Sequence, residues 1–383
     1  NGTQILRERS GSRNIKFHSI PVTERTEWTF AEISNDHHRC TVEITSGSDT
    51  KQVGQLLIEL FNLIQTKGVT DESEVEVTAS LTTDQLQRNH PLAVAVSALR
   101  TALITLAARA KSLTLVEYLD GKPQINIPVY ANINRCLLGD RRTPRDFGIA
   151  AAQAAQDGFS VIKCAPFDDI VVGQSSSDLL KAAQVGVDRV KSVRSAIGPE
   201  LGLLVDCHSC FDEESAIEVA DKLSDFKISW YEEPISPATG QAELARIASR
   251  IGAPLAGGER GYGSEFFVDL LSGGSVNIVM PDVKFCGGVG EAKRIAQSIM
   301  LKQGKVSLHS PSGPVSQLAG ATVTAAVAGS LPLEHAVYEA SWRSNVLIPP
   351  ERIEKGLFWF PDTGISEPVL NKDLIRKRGL SWD

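Results

Sequence analysis

The sequence predicts a two-domain α/β protein in which a parallel β/α barrel follows an N-terminal α+β domain. With 383 residues, the chain exceeds the roughly 250 to 300 at which a single hydrophobic core stops growing. From about residue 127, eight short apolar runs alternate with amphipathic helical stretches, which is typical of a β/α barrel. A doubly wound sheet fits less well, because no glycine-rich phosphate loop follows the first of these runs.

The α+β domain is predicted for residues 1–126. Two runs with strand-like composition enclose a polar segment, and two helical patterns follow them. In order, these elements are IKFHSIPV at 15–22, RCTVEIT at 39–45, a helix at 52–68 and a helix at 91–110. Strands followed by helices, without regular alternation, indicate an α+β unit.

The barrel is predicted for residues 127–360. Its strand-like runs are short and apolar, and helical patterns separate them. The eight runs are IPVYANI, FSVIKCA, GLLVDCH, ISWYEEP, APLAGGE, VNIVMPD, KVSLHSP and AVYEA. Residues 361–383 return to a polar, irregular texture, and we expect them to pack against the first domain.

Composition and charge narrow the class of protein. The net charge of -7 and the lack of a basic cluster argue against a nucleic-acid partner. No apolar run approaches the roughly 20 residues that cross a bilayer, and the polar start lacks the apolar core of a signal peptide. Six cysteines in so long a chain do not form a disulfide framework. We therefore expect a cytoplasmic protein without a membrane partner, in which the Asn1-Gly2-Thr3 sequon has no role.

Seven of the eight predicted strands end in an ionisable residue. In chain order these residues are Lys163, Asp206, Glu232, Glu259, Asp282, His309 and Glu339. A single acid after a strand is usually a helix cap. Seven in register indicate a common site, because the carboxyl ends of barrel strands surround the mouth where barrel enzymes react.

Three consecutive acids in this series indicate a metal. Asp206, Glu232 and Glu259 would repel one another strongly if they were close and unpaired. Their convergence therefore predicts a divalent cation with oxygen ligands, and this ligand set favours Mg²⁺.

The next two strands predict a general base. A carboxylate beside a histidine fixes the tautomer of the ring and raises its basicity, and Asp282 and His309 end adjacent predicted strands. On the eighth strand Glu339 could hydrogen-bond a substrate oxygen, with Glu334 and Arg343 as rivals for that position.

The segment LLVDCHSCFDEES, residues 203–215, allows a zinc site, a redox CxxC motif, or an acid and a histidine at a strand end. A zinc site needs two further Cys or His ligands at suitable spacing, and none accompanies Cys207 and Cys210. A thioredoxin-like motif opens a helix in a different fold. Strand periodicity places Asp206 and His208 on one face and Cys207 on the other, which favours the third interpretation.

Together, the strand-end motifs resemble those of the enolase superfamily and, within it, the mandelate racemase subgroup. The matching pieces are KCA, DCH, YEEP, GGER, PDVKFCGG, HSPSGPVS and YEA, on the second to the eighth predicted strands. The resemblance covers about residues 127–360. It implies a modified (β/α)8 TIM-like barrel, an N-terminal α+β capping domain completed by the C-terminal tail, and a homo-oligomer between dimer and octamer.

The resemblance also implies a role for each strand-end residue. It makes Asp206, Glu232 and Glu259 the Mg²⁺ ligands, His309 and Asp282 the pair that abstracts the proton α to a carboxylate, Lys163 the first Lys of the subgroup's KxK motif, and Glu339 the acid that hydrogen-bonds the enediolate. The second Lys of KxK is replaced by Ala165, so racemisation lacks its second acid/base. His208 matches a histidine of galactonate- and mannonate-dehydratase-like members, where it can protonate the departing hydroxyl.

These matches predict a Mg²⁺-dependent dehydratase of an aldonic or aldaric acid. The enzyme would remove the α-proton, eliminate the β-hydroxyl and release a 2-keto-3-deoxy acid. The resemblance further implies that the segment from Thr23 to Arg39 closes the barrel over a hydroxylated substrate, with Arg25, Trp28, His37 and His38 as its contacts.

Three alternatives stay open. An epimerase or cycloisomerase of a sugar acid or lactone would use His309 with Lys163 or another acid. A non-catalytic member would only bind metal or assemble, although no ligand is missing. A Schiff-base aldolase would use Lys163, although three nearby acids would hold its amine charged.

Overall fold

The computed structural model describes residues 14–35, 37–363 and 367–382, so the sequon at Asn1 lies outside the described residues. The protein contains helices and strands throughout, as predicted. The N-terminal elements are the strands β1 Asn14–Pro21, β2 Glu27–Ser34 and β3 Arg39–Glu43, and the helices α1 Thr50–Lys67, α2 Val75–Thr78, α3 Thr83–Arg88, α4 His90–Ala110 and α5 Leu115–Tyr118.

Strands then alternate with helices through most of the remaining chain. The strands are β4 Asn126–Asn132, β5 Val161–Cys164, β6 Gly202–Asp206, β7 Trp230–Glu232, β8 Leu255–Gly257, β9 Ile278–Val279, β10 Lys305–Val306 and β11 Leu333–Ala336. The helices between them are α6 Pro144–Gln156, α7 Ser176–Ile197, α8 Glu213–Leu223, α9 Gln241–Ala248, α10 Gly263–Ser272, α11 Gly288–Leu301 and α12 Pro314–Ala326. The last elements are β12 Leu347–Ile348, β13 Arg352–Glu354, β14 Leu357–Trp359, β15 Val369–Leu370, α13 Lys372–Arg378 and β16 Leu380–Trp382.

The strands β4 to β10 pair in parallel, each with the next, and β11 pairs in parallel with β4. At the other end of the series, the Leu331 N–H donates to the Val306 carbonyl at 2.8 Å and connects the segment before β11 to β10. Because the paired strands run in the same direction, their carboxyl ends share one edge. This edge receives the residues that follow each strand.

The C-terminal tail contributes a strand to the N-terminal sheet, whose order is β16-β1-β2-β3. Strand β16 pairs antiparallel with β1, and Phe17 lies opposite Trp382. Their rings stack with centroids 5.5 Å apart. The first and last described parts of the chain therefore fold as one sheet.

Four hydrophobic clusters hold these elements, and three of them position the parallel strands and the N-terminal sheet. One lies between the parallel strands and the helices outside them, and a second lies between the N-terminal sheet and helices α1 and α4. A third, smaller cluster is formed by strand residues facing away from the helices, among them Tyr130, Trp230 and Met280. The burial of these apolar side chains is the dominant stabilising contribution to the fold.

The observed elements correct the sequence prediction in two places. Strand β2 lies inside the segment predicted as polar, because its polar residues face neighbouring elements and six of its eight residues are buried. The eighth parallel strand is β11 at Leu333–Ala336, not AVYEA at 336–340.

Among the described residues, one helix is long and apolar enough to cross a membrane, α4, and 83% of its most apolar window is buried inside the protein. The sequence expectation that no run approaches this length is therefore wrong. The helix is apolar on nearly every side because it packs against α1, β3 and α11.

A buried ion cluster attaches the tail to the N-terminal sheet. Glu32 on β2 accepts from His18 Nε2 at 2.7 Å and also contacts the ammonium of Lys372 on α13. Burial favours the neutral carboxyl, but the hydrogen bonds from His18 and Lys372 outweigh it and lower the pKa of Glu32 to about 2. The ionised form of Glu32 therefore stabilises the folded state.

We expect the Glu32→Gln substitution to destabilise the protein at neutral pH and to lose this effect in acid. Because the folded-state pKa is depressed, the contribution is complete above the ordinary value of 4.5 and disappears as the pH falls toward about 2. Urea unfolding of both proteins across this range measures the difference. As a control, Glu24→Gln at an exposed turn position should change little at any pH. A difference for Glu32→Gln that stays constant down to the lowest pH would contradict the assignment.

Candidate active site

A cavity of about 420 Å³ opens at the edge where the parallel strands end, a size in the range of small-molecule sites. Residues from both halves of the chain line it. The strand-end side contributes Asn132, Asp206, His208, Glu259, His309 and Glu334, and the N-terminal side contributes Arg25, Thr26, Glu27, Thr45, Ser46, Gly47, Asp49 and His90. The cavity is therefore enclosed jointly by the parallel strands and the N-terminal elements.

Lys163 lies among three buried carboxylates. Its Nζ is 2.6 Å from Glu232 Oε1, 3.3 Å from Asp206 Oδ2 and 3.0 Å from Glu334 Oε1. Burial alone would lower the pKa of Lys163, but the carboxylates Glu232 and Glu334 hold that pKa well above its ordinary value. The amine is therefore protonated, which argues against its use as a Schiff-base nucleophile.

His309 is fixed between two carboxylates. Its Nδ1 is 2.8 Å from Asp282 Oδ2, and its Nε2 is 3.0 Å from Glu259 Oε2. The Lys284 backbone N–H donates to Asp282 Oδ1 at 2.8 Å and holds that carboxylate in place. When Nδ1 donates to Asp282, Nε2 is the ring nitrogen directed into the cavity. The predicted pairing of His309 with Asp282 is thus present in the structure.

His208 lines the same cavity, but its backbone is in a turn and not in the predicted strand. Strand β6 ends at Asp206, and both His208 and Ser209 have left-handed backbone conformations, with φ of 47° and 58°. The strand alternation assumed from the sequence therefore stops before His208. The turn nevertheless brings His208 Nε2 to 3.0 Å from Asp206 Oδ2.

The strand-end cluster holds more carboxyl groups than its own basic side chains keep ionised. Burial, followed by repulsion from Asp206, raises the pKa of Glu232 to about 8. Burial and repulsion from Glu259 likewise raise the pKa of Glu233 to about 7. Both carboxyls would ionise more readily if a further positive charge lay beside them.

The three predicted metal ligands all lie in this cluster, and each contacts a basic side chain of the protein. Lys163 and His208 contact Asp206, Lys163 contacts Glu232, and His309 contacts Glu259. Across residues 14–35, 37–363 and 367–382, no three His, Cys, Asp or Glu side chains form a ready metal-ligand group. The donors are nevertheless carboxylate oxygens, which are the ligands that Mg²⁺ prefers. The chemistry of the donor set and its excess of carboxyl groups therefore fit a divalent cation.

The eighth parallel strand supplies Glu334, not the predicted Glu339. Glu334 Oε1 accepts from Asn132 Nδ2 at 2.7 Å, and Oε2 accepts from the Ser310 N–H at 2.9 Å. Glu339 lies three residues beyond the end of β11, outside the set of residues that lines the cavity. The expectation that Glu339 ends the eighth strand was wrong, because the predicted strand was placed three residues too late.

The capping segment contributes less than expected. Arg25 lines the cavity with its neighbours Thr26 and Glu27, whereas Trp28 is completely buried and packs against Trp342. His37 and His38 line a separate surface hollow. The loop from Thr45 to Asp49 and the side chain of His90 instead complete the N-terminal side of the cavity. No sequence motif indicated either of them.

The two cysteines of the CxxC motif lie apart from this chemistry. Cys207 and Cys210 are buried free thiols. Burial raises the pKa of Cys210 to about 12 and raises that of Cys207 well above its ordinary value. Neither thiol is therefore ionised near neutral pH, as a metal ligand or redox nucleophile would need to be.

Two further polar residues beside the cavity were missed by sequence reasoning. Asp168 follows β5 and lies 2.6 Å from His208, and Lys284 donates from Nζ to the Thr45 carbonyl at 3.2 Å. Their sequence signal was weak but present, since each lies two to four residues beyond a predicted strand.

Comparison with known proteins places this geometry in a family. Residues 147–367 match the family model described as Enolase C-terminal domain-like. The D-gluconate/D-galactonate dehydratase of Picrophilus torridus is 30% identical over 277 residues, which cover 71% of this chain and 68% of that protein. The D-xylonate dehydratase of Haloferax volcanii is 26% identical over 275 residues, 70% of this chain and 65% of that protein, so this match spans just under two thirds of the relative.

A solved structure shows the same fold. The crystal structure of a member of the enolase superfamily from Salmonella Typhimurium has a TM-score of 0.83 with this chain at 21% identity, and the match covers 96% of this chain and 98% of that one. The likeness therefore extends over both the N-terminal elements and the parallel strands.

Proposed function

Because the chain belongs to the Enolase C-terminal domain-like family, and through it to the enolase superfamily, we propose that it is a hydro-lyase that dehydrates an acid sugar. Two observations agree with this: the curated relatives are dehydratases of gluconate, galactonate and xylonate, and the cavity holds His208 and His309 beside a cluster of carboxylates. The product would be a 2-keto-3-deoxy acid. The substrate would be an aldonic or aldaric acid.

We infer that the parallel strands close into a (β/α)8 barrel under a capping domain. Two contacts support closure: β11 pairs with β4, and the segment just before β11 donates a hydrogen bond to β10. The division into residues 1–126, 127–360 and 361–383 stands as part of this proposal.

We infer that Asp206, Glu232 and Glu259 hold Mg²⁺. When bound, the ion would stabilise the negative charge that develops on the substrate carboxylate as the α-proton leaves. The buried carboxylates and the raised pKa of Glu232 support this assignment, because the cluster lacks positive charge.

The protein's own groups would carry the proton transfers. His309 Nε2 would accept the α-proton, with Asp282 orienting the ring through Nδ1. The electron pair of the broken Cα–H bond would first be delocalised into the substrate carboxylate, and it would form the C=C bond in the next step, when the bond from the β-carbon to oxygen breaks. His208 would give a proton to the departing hydroxyl, which leaves as water. Glu334 would face a substrate oxygen in the cavity, with the ammonium of the buried Lys163 3.0 Å from its Oε1 as counter-ion. The observation that carries the proposal is the presence of both histidines in one cavity.

A library of aldonic and aldaric acids tests the proposal. With Mg²⁺ we expect 2-keto product from one or a few members, and exchange of their α-proton in deuterated water. Chelation with EDTA should abolish product, and added Mg²⁺ should restore it. A parallel thermal-unfolding measurement should show Mg²⁺ raising the melting temperature, because the ion binds only the folded state. If no member of the library gives product and none undergoes α-proton exchange, the dehydratase assignment is refuted.

The second candidate is an epimerase or cycloisomerase acting on a sugar acid or lactone. The observation that favours it is His208, because a second acid/base in the cavity could return a proton to carbon. Exchange without any keto acid would select this alternative over dehydration.

A further inference from the structure

Asp168 makes a contact that the proposed function does not yet use. Its Oδ1 lies 2.6 Å from His208 Nδ1, across 40 residues of sequence. We propose that Asp168 is a positioning residue that orients the His208 ring toward the leaving hydroxyl. This inference rests on the proposed dehydratase function. It pairs His208 with Asp168 as His309 is paired with Asp282.

The ring of His208 is held at both nitrogens. Nδ1 meets Asp168, and Nε2 lies 3.0 Å from Asp206 Oδ2. Rotation about the side-chain bonds would break both contacts. The backbone adds a further constraint, because the left-handed conformation at His208 and Ser209 costs free energy and is kept only where the surroundings fix it. The orientation of the ring is therefore determined by its two acidic neighbours.

Asp168 is itself anchored at the end of β5. Arg142 Nη1 lies 4.0 Å from Asp168 Oδ2, and the same guanidinium donates to the Ala165 carbonyl at 3.1 Å and the Leu137 carbonyl at 3.2 Å. Arg189 in turn donates to the Arg142 carbonyl at 2.7 Å. These contacts fix Arg142 to the backbone that follows the first two parallel strands, and Arg142 in turn lies beside the partly exposed carboxylate of Asp168.

The consequence for the reaction is specific to one step. Removal of the α-proton by His309 does not involve Asp168, which does not contact that ring. Cleavage of the bond between the β-carbon and oxygen needs a proton delivered along a defined direction. Loss of Asp168 should therefore impair elimination and leave α-proton exchange intact.

The chain offers a matched control in the next residue. Asp169 carries the same charge and is paired with Arg142 and Arg189 instead of His208. We expect Asp168→Asn to lower keto-acid formation about 10- to 100-fold while exchange in deuterated water stays within about twofold. Asp169→Asn should leave the ratio of elimination to exchange unchanged, because it removes an equal charge without touching His208.

A double variant separates positioning from a purely structural role. If Asp168 acts through His208, the Asp168→Asn/His208→Asn pair should be no slower in elimination than His208→Asn alone. Additive losses, or equal losses of exchange and elimination in Asp168→Asn, would overturn the inference. So would unchanged elimination in that variant.

Nitrogen-detected NMR of the histidine rings in the Mg²⁺-loaded, 383-residue chain gives a readout that needs no turnover. The His208 Nδ1–H signal, assigned by its loss in His208→Asn, should be present in wild type and Asp169→Ala and lost to solvent exchange in Asp168→Ala, which leaves no acceptor for this proton. Its persistence in Asp168→Ala would refute the positioning role. A wild type that shows this signal but turns over no sugar acid would refute the dehydratase proposal and leave the orientation of the ring established.

Discussion

We expect the His309→Asn substitution to lower the rate of 2-keto acid formation and the rate of α-proton exchange, each about 10²- to 10⁴-fold. The reason is geometric. His309 Nδ1 is committed to Asp282 at 2.8 Å, and Nε2 is the nitrogen directed into the cavity beside Glu259. Asparagine can keep a hydrogen bond to Asp282 but has no group of suitable basicity. Exchange in deuterated water, followed by proton NMR, and product formation measure the two steps.

The matched control is His208→Asn. That variant removes an imidazole from the same cavity, yet it should spare exchange and reduce only elimination. Surviving exchange in His309→Asn would show that another residue is the base. Loss of exchange in both variants would show that the two histidines do not have separate roles.

The Lys163→Met variant is expected to lose about 3 to 5 kcal/mol of unfolding free energy when it is measured in EDTA. Lys163 is buried and lies within 3.3 Å of three carboxylates, Asp206, Glu232 and Glu334. Methionine preserves much of the volume but leaves these acids without their common cation. Added Mg²⁺ should return part of the lost stability, since the same cluster then gains a positive charge.

Urea unfolding followed by circular dichroism measures this loss. Lys305→Met is the control, because Lys305 begins the parallel strand β10 but is exposed, and its replacement should cost less than about 0.5 kcal/mol. An equally small effect for Lys163→Met would show that the carboxylates are not held by this ammonium. If Lys163→Met is destabilised as much at saturating Mg²⁺ as it is in EDTA, the cluster does not bind the metal.

Much of the site could be predicted because its signals are local. Each of the strands β5 to β8 is a short, mostly apolar run with a charged residue at or within two residues of its carboxyl end, and that pattern depends on a few neighbouring residues only. Parallel pairing then places all strand ends together, so Asp206, Glu232 and Glu259 could be grouped before any contact was known.

The eighth strand could not be read in this way. Strand β11 has the sequence LEHA, in which a carboxylate and an imidazole are both buried. A strand tolerates buried polar residues of this kind only when distant groups pair with them. Lys163 on β5 pairs with Glu334 on β11, and β4 lies between these two strands. The apolar-run criterion therefore shifted the strand to AVYEA and selected Glu339.

The sequence by itself determined the class of fold, the strands that carry the carboxylates, and the pairing of His309 with Asp282, because these follow from periodicity and from spacing along the chain. Only the tertiary structure decided which acid of the eighth strand enters the cluster, how a left-handed turn aims His208, and that Asp168 supports it. The physical reason is the range of the interactions. Periodicity is a property of consecutive residues, whereas a buried charge is tolerated only where residues far apart in the chain supply its partners.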